Sequence, residues 1–396
     1  MVTAMERLEE QMSQIDFLVM GADGQQGIIS SRFLKKRGYG IRCSDIYRDN
    51  IYRDMDDMGG VDFSFCDHRH PCQINEIIST FKPRVVLNCA NDLYNDDVLE
   101  ACIRNKVQYV DLGSGIPDTK RRLARFADAA DAGITAIMGA GSVPGIGSVM
   151  MRSISHDMTT IESAEGGFAY DSNRPDFVPP FFLYITLWEL SLPVAVLCNG
   201  EITTIPARSV SRMKNFKLIG DQLLYAVSHS EIFSYHHYFS EKGLKDMMFY
   251  AGFPEHHRNV LDALIRVGLA VDRTIPVITS KGEVAVHPSD FLNAMSKYMF
   301  YPDGYTEAET LWARATGVMA GRKVSNTMSC IVPPISGWEK YGSNVDTGFP
   351  AAVMAEMVLA GLPHGVYCPE GIIPCDEFFG RMREVGFSFE TEITPP

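Results

Sequence analysis

Three glycines stand in the run Gly21-Ala22-Asp23-Gly24-Gln25-Gln26-Gly27, directly after an apolar segment at residues 15–20. A helical pattern follows over residues 28–37. Strand, glycine turn and helix in that order form the context in which such a triplet binds a dinucleotide. The first glycine permits the tight turn, the second lets backbone approach a pyrophosphate, and the third lets helix and strand pack closely. The helix N-terminus adds unpaired N–H groups and partial positive charge for the phosphates. Asp23, Gln25 and Gln26 are read as part of this seat. The spacing is Gly-x-x-Gly-x-x-Gly, so the context carries more of the argument than the motif.

Asp45 lies near the end of a second strand at residues 40–46. A carboxylate there accepts hydrogen bonds from ribose hydroxyls and repels a 2′-phosphate, which favours NAD over NADP. Arg42 and Arg48 flank it and leave NADP open. Further strands are expected at residues 61–66, 84–88, 107–112 and 134–138, with helices at 96–105 and 119–132. Six strands with helical crossovers make a doubly wound parallel sheet, an α/β Rossmann-type fold. Ligands of such sheets sit beyond the carboxyl ends of the strands. Asn88, Ala90, Asp111 and Gly141 fall on loops there and are read as cofactor contacts; simple turn chemistry would also explain them.

From about residue 149 the rhythm changes to longer strands, at 163–170, 195–205 and 276–286, with a hairpin turn at Asn199-Gly200. Helices are expected at 258–269 and 289–299. This implies a second α+β domain. An apolar helix at 349–362 reads as buried against the first domain. The boundaries expected are 1–148, 149–335 and 336–396.

The 396 residues are 46% apolar and 21% charged, with a net charge of −13. This is a globular composition, and the acidic balance argues against nucleic acid or an anionic membrane as partner. Nine cysteines without C-x-x-C pairs fit a reducing, cytoplasmic setting. The polar, acidic first fourteen residues do not resemble a secretory leader. The apolar stretch 181–198 contains Glu189 and Pro193, which favours a buried element over a membrane span. Cys66-Asp67-His68-Arg69-His70-Pro71-Cys72 holds soft ligands at a spacing that matches no usual zinc site, so no metal is expected.

The runs Gly21–Gly27, VVLNCAND (85–92), VLEACIRNKVQYVDLG (98–113), GAGSVPGIGSVM (139–150), TGFPAAVMAEMVLAGL (347–362) and GVYCPEGIIP (365–374) together resemble the saccharopine dehydrogenase family. The resemblance spans nearly the whole chain. It implies a Rossmann domain, a substrate domain with a mixed sheet that also serves dimerisation, a C-terminal return, and a homodimer. It further implies NAD(P)-dependent oxidation or reduction at a carbon–nitrogen bond of an amino acid, of lysine or saccharopine type. A carboxynorspermidine-type imine reductase and a silent nucleotide-binding relative are the alternatives. The middle of the chain departs from the family pattern after Phe168.

Chemistry at a C–N bond needs a residue that accepts a proton from the amine. His229, His236 and His237 are the candidates, with Asp111 as an alternative acid or base. Glu165 is a candidate for the substrate amino group, or else pairs with a nearby cation. Arg208 and Arg212, with Lys214 close by, are candidates for a substrate carboxylate, which arginine binds bidentately.

Overall fold

The computed structural model describes residues 15–179, 183–296, 298 and 302–396. Six short strands, β1 (Phe17–Met20), β2 (Ile41–Asp45), β3 (Asp62–Phe65), β4 (Val85–Asn88), β5 (Gln108–Asp111) and β6 (Thr135–Ile137), run parallel in one sheet. β1 and β4 are buried at every position, as strands covered on both faces require. The order is β3-β2-β1-β4-β5-β6, and the late strand Gly365–Tyr367 extends it beside β6. The order reverses between β1 and β4, the crevice where such sheets bind ligands. The expected doubly wound sheet is therefore present, and the late GVY segment, whose run resembles the family's closing strand, adds a seventh strand to it.

Helix α1 (Gln25–Lys36) packs against the helix Val345–Ala360. The contact is backbone-close: a Cβ at Gly348 would lie 2.3 Å from Ile29 Cγ2, and Ser30 Oγ donates to the Gly348 carbonyl at 3.1 Å. Glu356 of the late helix is buried between Arg37 (2.6 Å) and Arg381 (3.0 Å). The single helix expected at 119–132 is two, Ile116–Leu123 and Phe126–Ala132. The interruption follows Arg122, whose side chain is buried 3.6 Å from Asp111.

The chain forms two compact units. The first holds the residues up to His156 with 233–238 and 345–385; the second holds 157–232, 239–344 and 386–396. The second is built on a mixed sheet of β7 (Met158–Ser172), β8 (Val194–Cys198), β9 (Glu201–Ile205), β10 (Ser211–Phe216), β11 (Gly220–Val227), β12 (Asp246–Gly252), β15 and β16. Here β13 (Ile275–Thr279) and β14 (Gly282–Val286) form a separate hairpin, while the long β15 (Glu307–Met319) pairs with β7 on one side and with β16 (Arg322–Val332) on the other. Only β12 and β7 pair in parallel; the other pairs are antiparallel.

The segment 276–286, expected as strand with a turn, is the β13–β14 hairpin. Gly282 at φ +112° and the Thr279 hydroxyl, bonded to the Gly282 carbonyl at 2.7 Å, close its turn. The helix expected at 289–299 is Pro288–Ser296; positions 297 and 299 lie outside the described residues, as do 181–182 of the apolar stretch and the first fourteen residues. The rest of that stretch is the helix Leu183–Glu189 followed by β8. The last strand, Ser388–Thr394, pairs with β16. This corrects the expectation that all of 336–396 returns to the first domain: alternation in FETEIT suits a sheet edge, where each second side chain meets solvent. Among the described residues no helix is long and apolar enough to cross a membrane.

Register divides the second sheet into two faces. Glu165, Gly167, Arg314, Trp312, Met248, Tyr250 and Arg212 point to one; Gly166, Phe168, Phe249 and Ala313 point to the other. The adjacent glycines are needed because an aromatic ring presses on each face. A Cβ at Gly167 would lie 2.4 Å from the Trp312 ring, and one at Gly166 would lie 3.1 Å from the Phe249 ring.

Candidate functional site

In the first unit the glycine turn joins β1 to α1 at the switch point. Gly21 adopts φ +71°, and a Cβ there would sit 2.5 Å from the Ala90 backbone nitrogen. A Cβ at Gly27 would sit 2.2 Å from the Gly21 carbonyl oxygen. Both are therefore fixed by close backbone approach. Gly24 differs: it is exposed, its Cβ position meets only the Gly21 oxygen at 3.3 Å, and it caps α1 without a side-chain cap bond. No acidic residue occupies the first turn of α1. The outer lip of the turn, with Gly24 and Gln25, is thus an open cradle at a helix N-terminus, which suits a pyrophosphate.

Asp45 ends β2. Its carboxylate accepts from the backbone N–H of Asp23 (3.0 Å), Ile46 (2.6 Å) and Tyr47 (3.2 Å). A carboxylate has about four lone-pair sites, so one remains for a ribose hydroxyl. Arg42 is turned away, stacked on Phe81 at 4.0 Å and bonded to Ser64. Asp23 is buried and accepts from Ile51 N–H (2.9 Å) and Asn50 Nδ2 (3.1 Å), so its carboxylate braces the turn instead of facing a ligand. Burial raises its carboxyl above the ordinary range. His68, just past β3, is also buried, and its Nε2 has no hydrogen-bond partner. Burial lowers its imidazole, opposed by Asp45 and Asp67. An orphaned ring nitrogen beside Asp45 and the open lip at Gly24 are the two features an adenine dinucleotide would satisfy. The residues present therefore fit the group.

The remaining loops at the carboxyl edge are rigid. Asn88 is buried, donates to Asn95 (2.8 Å) and accepts from Ala90 N–H (3.2 Å), which holds the Ala90 loop against Gly21. Gly141 pairs with Gly145, and Pro144 packs on Gly113 and Gly139. Asp111 does not face the crevice. It is fully buried and accepts from Tyr109 OH (2.9 Å), Gly113 N–H (2.8 Å) and Gly139 N–H (2.9 Å), with Arg122 at 3.6 Å. This corrects the acid–base and cofactor-contact readings of Asp111: the carboxylate ties three loops together.

In the second unit His229 lies flat on Phe249, with ring centroids 4.0 Å apart. Its Nδ1 contacts Oε2 of Glu231, which also accepts from Ser230 Oγ at 3.2 Å. The His229 side chain is 13% exposed and that of Glu231 is fully buried. Burial opposes charge on His229, but Glu231 and then Glu189 outweigh it and raise the imidazole above its ordinary value. Burial pushes the Glu189 carboxyl up to about 7, with His229 acting in the opposite sense. Sequence reasoning found His229 and passed over Glu231 and Glu189. The signals were a carboxylate two residues beyond His229 and a charge stranded inside an apolar stretch.

The other candidates are placed elsewhere. Glu165 and Arg212 form a bidentate pair, both bonds 2.8 Å, with the guanidinium 4.2 Å above Tyr250. They lie on the sheet face opposite Phe249 and His229. Arg208 bonds the Leu190 carbonyl at 3.0 Å and pairs with Asp262. Both arginines already hold protein acceptors, which corrects their reading as receptors for a substrate carboxylate; in an acidic chain the nearest anion is its own. His236 and His237 belong to the stretch 233–238 of the first unit. His237 is exposed and stacks on Phe233 at 6.0 Å; His236 is half-buried with Nδ1 unpartnered. Among the described residues no group of His, Cys, Asp and Glu is placed to hold a metal, and Asp67 of the Cys66–Cys72 run is taken by Arg69.

A Rossmann-type parallel sheet with an open glycine cradle, joined to a unit built on a mixed sheet, defines a dehydrogenase-type α/β fold. The chain has a saccharopine dehydrogenase-like fold. Its structure superposes on saccharopine dehydrogenase (L-Glu forming) from Saccharomyces cerevisiae with a TM-score of 0.70 at 14% identity, covering 96% of this chain and 99% of that one. In sequence it is similar to carboxynorspermidine synthase of Vibrio alginolyticus, 24% identical over 347 residues. The Vibrio cholerae enzyme of the same name is 26% identical over 351 residues. Each alignment spans 81% of this chain and 80% of the relative. No family model matches the chain.

Proposed function

We propose that this protein is a nicotinamide-dependent oxidoreductase acting at a carbon–nitrogen bond of an amino-acid-related substrate. The observation that carries the reading is the open Gly24 lip at the head of α1, at the switch point of a parallel sheet and next to the Asp45 carboxylate. The nicotinamide, when bound, gives or takes the hydride. Gly21, Gly24 and Gly27 with the α1 N-terminus hold the diphosphate, and Asp45 and His68 hold the adenosine end. The Asp45 carboxylate and the withdrawal of Arg42 support NAD over NADP. His229 is the acid–base group: Glu231 fixes its Nδ1 and leaves Nε2 to exchange a proton with the substrate nitrogen.

The two relatives, named carboxynorspermidine synthase, support that type of reaction ahead of the lysine or saccharopine type; the full-length fold match to a saccharopine dehydrogenase supports the latter. The family likeness supports a homodimer, and nine free thiols support a cytoplasmic setting. The test is an absorbance assay. Purified protein receives NADH or NADPH, a semialdehyde and an amine, and in reverse NAD or NADP with lysine and saccharopine. Loss or gain of reduced cofactor on one of these panels is expected. Tight cofactor binding with no turnover on any of them would overturn the catalytic reading in favour of a nucleotide-binding relative.

A further inference from the structure

Beside His229 two buried carboxylate oxygens lack any hydrogen-bond partner, Glu231 Oε1 and Glu189 Oε2. Glu231 is fully buried, and only its Oε2 is used, by His229 and Ser230. Leaving a buried acceptor unmet costs on the order of 1–3 kcal/mol, and more for a charged group. Among the described residues His229 is the one ion-pair partner of Glu231, and Glu189 has no ion pair. The two arginines of this unit that the sequence offers as substrate ligands are committed elsewhere, Arg208 to Asp262 and Arg212 to Glu165. Glu189 is close enough to His229 for their charges to interact, and they act in opposite directions on each other. Two carboxylates facing one imidazole leave an excess of acceptors and of negative charge.

We propose that Glu189 and Glu231 seat a primary ammonium group of the substrate, with Glu231 Oε1 and Glu189 Oε2 accepting its N–H bonds below the His229–Phe249 stack. The assignment rests on reading the His229 unit as the substrate unit. An ammonium group has three donors and no acceptor, which matches two unmet acceptors. A carboxylate at this place would meet two like charges, and a hydroxyl has one donor for two acceptors. A cation here also resolves the raised state of Glu189, because a positive neighbour favours the ionised carboxyl. Glu231 thus has two tasks on its two oxygens, aligning His229 and receiving the amine.

Isothermal calorimetry on the full chain tests this with 1,4-diaminobutane and butylamine as probes and butanoate as the anionic counterpart. Reduced-cofactor affinity is read on the same preparations by nicotinamide fluorescence. The wild type is expected to bind both amines and not butanoate. Glu189→Gln and Glu231→Gln are expected to weaken amine binding tenfold or more while cofactor affinity stays unchanged, with the thermal midpoint also unchanged in Glu189→Gln. Should Glu231→Gln not fold, Glu189→Gln decides alone. Wild-type amine affinity in Glu189→Gln, or cofactor binding by a wild type that takes up neither amine, overturns the seat. Failure to bind any nicotinamide cofactor overturns the oxidoreductase reading instead, and the amine titrations still judge the seat by themselves.

Discussion

Replacing Gly24 by serine separates binding from folding at the proposed diphosphate seat. Gly24 has φ −77° and ψ 161°, which any residue adopts, and it precedes α1 as an uncapped N-cap. An added Cβ meets only the Gly21 oxygen at 3.3 Å. Serine is a better N-cap than glycine by a few tenths of a kcal/mol, so the thermal midpoint should hold or rise by about 1 °C. The same Cβ and hydroxyl stand where the diphosphate must approach the backbone. Overpacking of this kind costs about 1–3 kcal/mol, on the order of 10- to 100-fold in Kd. Gly27→Ala is the contrasting case. Its Cβ would lie 2.2 Å from the Gly21 oxygen and 2.6 Å from Ala22 Cα, both backbone atoms that cannot move aside. That variant should lose about 3 kcal/mol of stability or more, roughly 6–12 °C in midpoint. Differential scanning calorimetry and a nicotinamide fluorescence titration read both quantities. A Gly24→Ser protein with wild-type midpoint and wild-type cofactor Kd would refute the assignment of the diphosphate to this turn.

Asp111→Asn should lower the thermal midpoint by about 10 °C, because an amide cannot accept from every donor now facing the carboxylate and a broken buried pair costs about 3–5 kcal/mol; a normal midpoint with lost turnover would return Asp111 to catalysis. Arg212→Ala should cost about 1 kcal/mol by freeing a half-exposed Glu165 and should leave the KM for amine substrates within twofold. A tenfold rise in KM would reinstate Arg212 as a substrate ligand. His257 is fully buried between Tyr170 OH and the Asp176 carbonyl, and burial pushes its imidazole down to about 4. The unfolded chain takes up that proton near pH 6.5, so the contribution is complete above pH 6.5 and is lost as pH falls towards 4, by up to about 3 kcal/mol. Urea midpoints of His257→Gln across this range should fall less steeply than those of the wild type; an equal slope would remove His257 from the acid response.

The parallel sheet was legible because its central strands, Phe17–Met20 and Val85–Asn88, are apolar runs buried on both faces. The glycine turn was legible for a related reason: Gly21 and Gly27 answer to contacts within the same strand–turn–helix unit. The second unit was less so. His229, Glu231 and Glu189 meet through β11, β12 and the helix Leu183–Glu189, and no local spacing encodes that meeting. Arg208 and Arg212 stand close in sequence, yet one closes a loop onto Asp262 and the other lies along a strand against Glu165. Strand parity places Glu165 on the face opposite Phe249, the ring His229 stacks on, which only the pairing of β7 with β12 reveals.

The nucleotide-binding unit is assembled from three separated stretches of polypeptide, and the last of them ends at residue 385. While the ribosome is still making the middle of the chain, Ile29 and Gly348 have not yet met, and the edge of β6 is unpaired. That half of the protein must wait, partly open, until nearly the whole molecule has been synthesised. Truncation after residue 156 would freeze it in that unfinished form, so a stand-alone first unit needs all three stretches, 15–156, 233–238 and 345–385, and a shortened gene will not yield it.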